Sequence, residues 1–316
     1  MASYYNQLYF IHCMTPTHIG AGQGVGIIDM PIMRERITQW PLIPGSSVKG
    51  VLREYYMLSG DSMESQRWVD AAFGKAAGSG SEAEDTSAGA LSFTDSRLLA
   101  FPVASEHGTF AYVSCPMALR RLLRDAAAAG VTIDHLQIDA VDEWDNVLRQ
   151  RGDDSGAIVG QRSQSLIVRN ERIAIDEFEF VVLEDDDRLV NCASSLARCV
   201  FPTEDARQLF RERFMLVSDE AFQYFSTVCC EVTPRIRISS ETKIVEDGAL
   251  WYEEYLPSES LLYGVVWCDN IHLKQSALHR ENVYERLDGT MYLQLGGNAS
   301  VGKGRVSCRF SREDGR

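Results

Sequence analysis

The longest apolar stretches of this chain, such as Leu261–Cys268, are only as long as a β-strand. None approaches the ~18 apolar residues of a membrane span. A hydrophobic core must therefore be assembled from short strands and amphipathic helices. Tyr9-Phe-Ile-His-Cys reads as a first strand. Pro44-Gly-Ser-Ser ends a loop and opens a helix over 48–58, with Ser46 or Ser47 as a natural N-cap. Residues 89–99 alternate as a strand does, and a helix over 117–129 stops at Gly130. Residues 179–190 join a strand-like run to Asp185-Asp-Asp, and 202–227 read as two helices broken near Ser218. A hairpin is expected over 233–257, a central strand at Leu261–Cys268 and a strand over 291–295. This order is α+β, and a ferredoxin-like sheet is one way to build it. With 316 residues, one elaborated domain or two fused small ones both fit. Residues 76–89 are small, polar and acidic, as in a flexible surface loop. Residues 136–156 carry so many acids that an insertion outside the core is expected.

The net charge is −14, from 31 basic and 45 acidic residues. Taken alone, this balance opposes a nucleic-acid partner. Binding needs only a local basic track, however, and acids can occupy other faces. Of the basic residues 26 are Arg, whose planar fork matches phosphate and stacks on bases. The N-terminus lacks the basic and apolar regions of a signal peptide, so a cytoplasmic protein with no membrane partner is expected. The eight cysteines form no C-x-x-C pair and read as free buried thiols.

Four groups of residues could carry chemistry. Gly20-Ala-Gly-Gln-Gly-Val-Gly, with Gly22, Gly24 and Gly26, can press against a ligand backbone or serve as a plain connection. It leads to Asp29 in Ile27-Ile-Asp-Met-Pro-Ile. That carboxylate can be a turn former, a partner of nearby Arg34 or Arg36, or a hard oxygen ligand for a divalent ion on a phosphate. Ser46, Ser47, Lys49 and Arg53 line a helix N-terminus that can receive phosphate, or form an ordinary capped helix with a solvated basic face. The 233–257 hairpin interleaves Arg235, Arg237 and Lys243 with Trp251, Tyr252 and Tyr255. Such a pattern suits splayed nucleic acid and equally a half-buried aromatic strand. Finally, Gly297-Asn-Ala-Ser-Val-Gly-Lys-Gly nearly fits a nucleotide-binding P-loop, but Gly304 stands where a hydroxyl is required. The turn around Gly302 and Lys303 could still bring backbone N–H groups to a phosphate. His18 could act as a general base, or simply pack.

Four stretches, in order, resemble the RAMP superfamily of CRISPR proteins, and within it the backbone subunit of type III-B effectors. They are His18-Ile-Gly-Ala-Gly-Gln-Gly-Val-Gly-Ile-Ile-Asp-Met-Pro-Ile-Met-Arg-Glu, Trp40-Pro-Leu-Ile-Pro-Gly-Ser-Ser-Val-Lys-Gly-Val-Leu-Arg, Ala249-Leu-Trp-Tyr-Glu-Glu-Tyr-Leu-Pro and Gly296-Gly-Asn-Ala-Ser-Val-Gly-Lys-Gly. The resemblance implies a single RAMP-type domain with a ferredoxin-like (RRM-like) palm, a protruding β-hairpin thumb and helical insertions. It implies copies of the chain polymerised along a guide RNA, beside other effector subunits, and cutting of a complementary target RNA. The family's cleavage aspartate maps to Asp29, which could bind Mg2+ or Mn2+, with His18, Glu253 and Tyr255 as assistants. Guide contacts map to Ser46, Ser47, Lys49, Arg53 and the turn at Lys303. Two alternatives stay open at this point: a non-catalytic RNA-binding scaffold and a metal-independent guide-processing nuclease.

Overall fold

Strand Tyr5–Cys13 runs through the middle of the main sheet, and its alternate side chains serve two separate cores. Tyr9, Ile11 and Cys13 point to one face, where Val48 and Leu52 of helix Gly45–Leu58 and Trp68 of helix Met63–Phe73 pack. Leu8 and Phe10 point to the other. There they join Leu119 of helix Pro116–Ala129, Trp144 of helix Ile138–Arg151 and Leu196 of helix Asp187–Val200. A strand covered on both faces must be apolar at consecutive positions, because neighbouring side chains leave in opposite directions. The computed structural model describes residues 5–22, 24, 26–60, 62–75, 86–152, 154–273 and 278–311.

Four strands, Arg305–Ser311, Tyr5–Cys13, Leu261–Cys268 and Ser96–Ala104, lie side by side, all antiparallel. Numbered by their order in the chain among themselves, they run 4-1-3-2. Thr290–Gln294 extends one edge. The other edge continues through Phe110–Ser114, Phe214–Leu216, Gly156–Val159, Phe178–Asp185 and Arg172–Ile175, mixing parallel and antiparallel pairs. Glu231–Ile238 and Val245–Tyr255 leave this sheet and form a hairpin of their own, with Arg235 opposite Trp251. Val232, Ile236, Ile238 and Leu250 of the hairpin are exposed.

The α+β expectation holds. The helix stopped by Gly130 ends there in the left-handed conformation, at φ 70°. The break at Ser218 is a helix start, where its hydroxyl accepts from the Ala221 N–H. All eight cysteines are free and six are buried. Most of the 76–89 segment, residues 76–85, lies outside the described residues.

Residues 136–156 correct the expectation of an insertion outside the core. They form helix Ile138–Arg151, which buries Ala140, Val141, Trp144 and Leu148 on one stripe. The acids lie between these positions. Asp145 is held by Arg120 and Arg149, so its charge does not require solvent. Trp144 donates through Nε1 to Asp186 Oδ2 at 2.8 Å, and Asp186 also caps helix Asp187–Val200 by accepting from the Arg188 N–H. Truncating a fully buried Trp leaves a cavity and removes one donor to Asp186, which keeps its bonds from Arg188. Trp144→Ala should therefore destabilise the fold by about 3–5 kcal/mol, read by denaturant unfolding. A loss under about 1 kcal/mol would mean that this helix is not part of the core.

Candidate active site

The hairpin strand Val245–Tyr255 pairs with Glu231–Ile238 along one edge only. The other edge is taken by the loop that joins the first strand to the first helix. Tyr252 N–H donates to Asp29 Oδ2 at 2.8 Å, and Glu254 N–H to the Met30 carbonyl at 3.0 Å. Leu256 N–H donates to the Thr17 carbonyl at 2.9 Å, while Met30 N–H returns a bond to the Tyr252 carbonyl at 3.1 Å. A carboxylate side chain thus occupies a place that a neighbouring strand's carbonyl would otherwise fill. Asp29 Oδ1 has no partner among the described residues, and Asp29 is exposed, as is Ile27 beside it.

The loop carrying Asp29 is closed by Gly24 N–H on the Asp29 carbonyl and Ala21 N–H on the Pro31 carbonyl, both at 2.9 Å. A Cβ at Gly24 would stand 2.4 Å from the Ile28 carbonyl oxygen, so the turn requires glycine there. Gly22, at φ 98°, and Gly26 are open to solvent. Neither Arg34 nor Arg36 pairs with Asp29. Arg34 instead makes a buried ion pair with Glu254 at 2.5 Å.

His18, Glu253 and Tyr255, expected as assistants at the cleavage point, are brought together inside the protein rather than exposed beside Asp29. All three are at most 5% exposed. His18 donates through Nδ1 to the Glu254 carbonyl at 2.7 Å and sets its ring edge-on to Tyr255. The carboxylate of Glu253 accepts from Trp251 Nε1, Asn298 Nδ2 and the Tyr255 hydroxyl, with Arg235 Nε at 3.6 Å. Burial works to raise the Glu253 carboxyl. The donors Tyr255 and Trp251, with the nearby charges of Arg235 and His18, outweigh burial and hold it below the usual carboxylate range. Burial and the Glu253 charge push the Tyr255 hydroxyl up to about 12.

Lys303 places Nζ 4.7 Å over the Tyr255 ring, closing the cluster from the C-terminal turn. That turn does not offer a row of free N–H groups. Gly297 N–H goes to the His18 carbonyl, Gly302 N–H to Ala299 and Lys303 N–H to Asn298. Gly302, at φ 78°, shapes the turn, and the near-P-loop docks onto the Asp29 loop's root. Arg237 is exposed, 3.7 Å from Glu246.

Ser46, Ser47, Lys49 and Arg53 stand apart on helix Gly45–Leu58, with no bond to this cluster among the described residues. Neither serine is the cap. Pro44 holds the N-cap position, and the first N–H, of Gly45, is taken by Asp95 Oδ1 at 2.9 Å. An acid already occupies the dipole end where a phosphate was expected. Lys49 is half-buried and its Nζ donates to the Leu91 carbonyl at 2.7 Å; burial, with Arg53 beside it, lowers its pKa. Arg53 makes no ion pair with a described residue, and its Nε lacks a partner. The Glu254–Arg34 pair and Asn298 are the site residues that sequence reasoning missed. The adjacent acids at 253 and 254 were visible, but not that alternation sends them to opposite sides of the strand.

As a metal site the donor set is thin. Among the described residues no group of three or more His, Cys, Asp or Glu could hold an ion. Asp29 Oδ1 is a single hard oxygen, which fits a divalent ion whose other ligands are phosphate oxygens and water.

Fold and site together define an α+β protein that presents loops and a hairpin from a sheet platform. The chain belongs to the RAMP superfamily, whose sequence model matches residues 10–307. It is 33% identical, over 94% of its length and 92% of the relative's, to the CRISPR system Cmr endoribonuclease Cmr4 of Pyrococcus furiosus. It is 24% identical to the CRISPR system CMR subunit Cmr4 of Saccharolobus solfataricus, covering 96% of this chain and 95% of that one. Oligomeric Cmr4 from Pyrococcus furiosus superposes with a TM-score of 0.68 at 25% identity, covering 98% of this chain and 99% of that one.

The depressed Glu253 carboxyl sets a pH dependence. Its contribution is fully present above the ordinary carboxyl value near 4.5 and is lost as pH falls through the lowered folded value. Glu253→Gln should lower Tm at neutral pH and cost progressively less in acid. A Tm difference that does not change with pH would show that the charge adds nothing.

Proposed function

We propose that the chain is the guide-RNA-binding backbone subunit of a type III-B CRISPR effector and cuts bound target RNA at Asp29. The observation that carries this is the exposed carboxylate, fixed by the Tyr252 N–H at the root of the hairpin with one oxygen free. The 33% identity to a protein named an endoribonuclease supports the activity. The 4-1-3-2 antiparallel order supports a ferredoxin-like palm, and the separate hairpin supports a thumb. The family match across 10–307 supports a single RAMP-type domain. The oligomeric relative supports self-association along a guide. Among the described residues no helix is long and apolar enough to cross a membrane, in keeping with a cytoplasmic complex.

In the reaction a ribose 2′-oxygen loses its proton and attacks the adjacent phosphorus in line. The bond to the 5′-oxygen breaks, and that oxygen takes a proton. The products end in a cyclic 2′,3′-phosphate and a 5′-hydroxyl. Asp29 Oδ1 can accept the hydrogen bond of the 2′-hydroxyl and orient it, while the hairpin root holds the strand bent. A magnesium or manganese ion bound to Asp29 would neutralise charge on the phosphate oxygens. Arg235 and Arg237 along the first hairpin strand and Lys303 at the root are the basic groups offered to phosphate here, although Arg235 lies 3.6 Å from Glu253 and Arg237 3.7 Å from Glu246. A histidine-based guide-processing reaction is disfavoured by His18, which is buried with Nδ1 committed.

In a reconstituted effector, Asp29→Ala should abolish target cutting while guide and target binding persist. Continued cutting would reduce the subunit to a scaffold, and cutting in the presence of chelator would remove the ion. Helix Gly45–Leu58 gives a separate test. Arg53→Ala should weaken guide binding and reduce its salt slope by about 0.7–0.9, the value of one phosphate contact. Lys49→Ala should leave the slope nearly unchanged, since its Nζ is engaged with Leu91. Equal effects from both would place Lys49 on the phosphate after all.

A further inference from the structure

We infer that Glu254, paired with Arg34, is the positioning residue that sets where the Asp29 carboxylate stands; this rests on reading Asp29 as the cutting residue. Among the described residues, Glu254 is the one bonded to both ends of the loop that carries Asp29. On the incoming side its carbonyl accepts from His18 Nδ1 at 2.7 Å. On the outgoing side its N–H donates to the Met30 carbonyl at 3.0 Å, and its Oε2 accepts from the Ile32 N–H at 3.0 Å. Residues 18 and 32 are thereby tied to a single point, with Asp29 between them.

The side chain of Glu254 is held in turn. Its Oε1 accepts from Arg34 Nη2 at 2.5 Å, with both side chains largely withdrawn from water. Arg34 is itself anchored through Nη1 to the Gln39 carbonyl at 2.7 Å and the Ser226 carbonyl at 3.0 Å. Nη2 also lies 3.2 Å from Cys230 Sγ, just before the first hairpin strand. The pair therefore locks the Asp29 loop to the hairpin root and to helix Asp219–Val228 at once. Among the described residues the Asp29 side chain accepts one bond, from the Tyr252 N–H, two residues from Glu254. A shift of the Glu254 clamp moves the loop backbone relative to that N–H and swings Oδ1 off line. In-line geometry is steep: a misplacement of about 1 Å can cost about a hundredfold in rate.

The test compares Glu254→Gln with Asp29→Ala in the reconstituted effector, measuring guide-RNA assembly, target Kd and the single-turnover cutting rate with target saturating. Glu254→Gln keeps an acceptor for the Ile32 N–H but removes the charge that holds Arg34. The rate should fall at least about tenfold with target Kd changed less than about twofold. The double variant Arg34→Met with Glu254→Met guards against misfolding, because replacing both members of a buried pair by apolar groups spares the fold. It should assemble and bind target normally, yet cut as slowly as, or more slowly than, Glu254→Gln. Wild-type cutting by either assembled variant overturns the inference, as does a loss confined to assembly or target binding. If Asp29→Ala itself still cuts, the reading of the active residue fails instead, whatever Glu254 does.

Discussion

An unpaired strand edge is the constraint on which this site is built. Val245–Tyr255 leaves the main sheet to form a two-stranded hairpin, so one of its edges would face water or recruit a stray strand. The chain covers the root of that edge with its own loop. Tyr252, Glu254 and Leu256 N–H groups are all accepted by residues 17–30. Because Asp29 performs one of these acceptances with a side chain, sealing the edge and placing a carboxylate are the same structural event. The glycines before Asp29 follow from it, since the loop must turn within a few residues to reach the strand.

The two neighbouring acids on that strand show how alternation divides labour. Glu253 and Tyr255 face inward toward His18, Asn298 and the Lys303 turn, and knit the C-terminal segment to the hairpin root. Glu254 faces the other way, toward Arg34 and the Asp29 loop. Both carboxylates are buried and both are satisfied, Glu253 by three donors with Arg235 nearby and Glu254 by the Ile32 N–H and Arg34, the condition under which a buried charge is tolerated. The overall acidity is therefore no guide to the potential at the site. Many acids are neutralised by specific arginines, as Asp145 is by Arg120 and Arg149.

Much of this was legible in the sequence. The α+β order, the hairpin, the stop at Gly130 and the break at Ser218 rest on local signals of periodicity and capping that act within a few residues. Asp29 was legible as a candidate because a lone carboxylate follows a glycine run. Other readings failed where a local pattern had two tertiary outcomes. The acid-rich 136–156 stretch looked solvent-borne, yet its four apolar positions fall on one stripe and Trp144 is capped by a distant Asp186. Ser46 and Ser47 looked like caps, yet Pro44 holds that position and Asp95, fifty residues on, takes the first N–H. Lys49 looked free for phosphate, yet a carbonyl from Leu91 holds it.

By itself the sequence determined which residue types were at hand: a glycine loop ending in an acid, a basic-aromatic hairpin, a glycine turn with one lysine, and strands apolar enough to be buried on both faces. These depend on the chain's own stiffness and on side-chain periodicity, which need no partner to be read. Only the tertiary structure decided which polar groups remain available. Hydrogen bonds between residues more than two hundred positions apart consume His18, Glu254 and Arg34, Asn298 and Arg235 help to occupy Glu253, and one oxygen of Asp29 is left facing water. A donor's or acceptor's partner is chosen by proximity after folding, and proximity across such separations is not written in any local stretch of sequence.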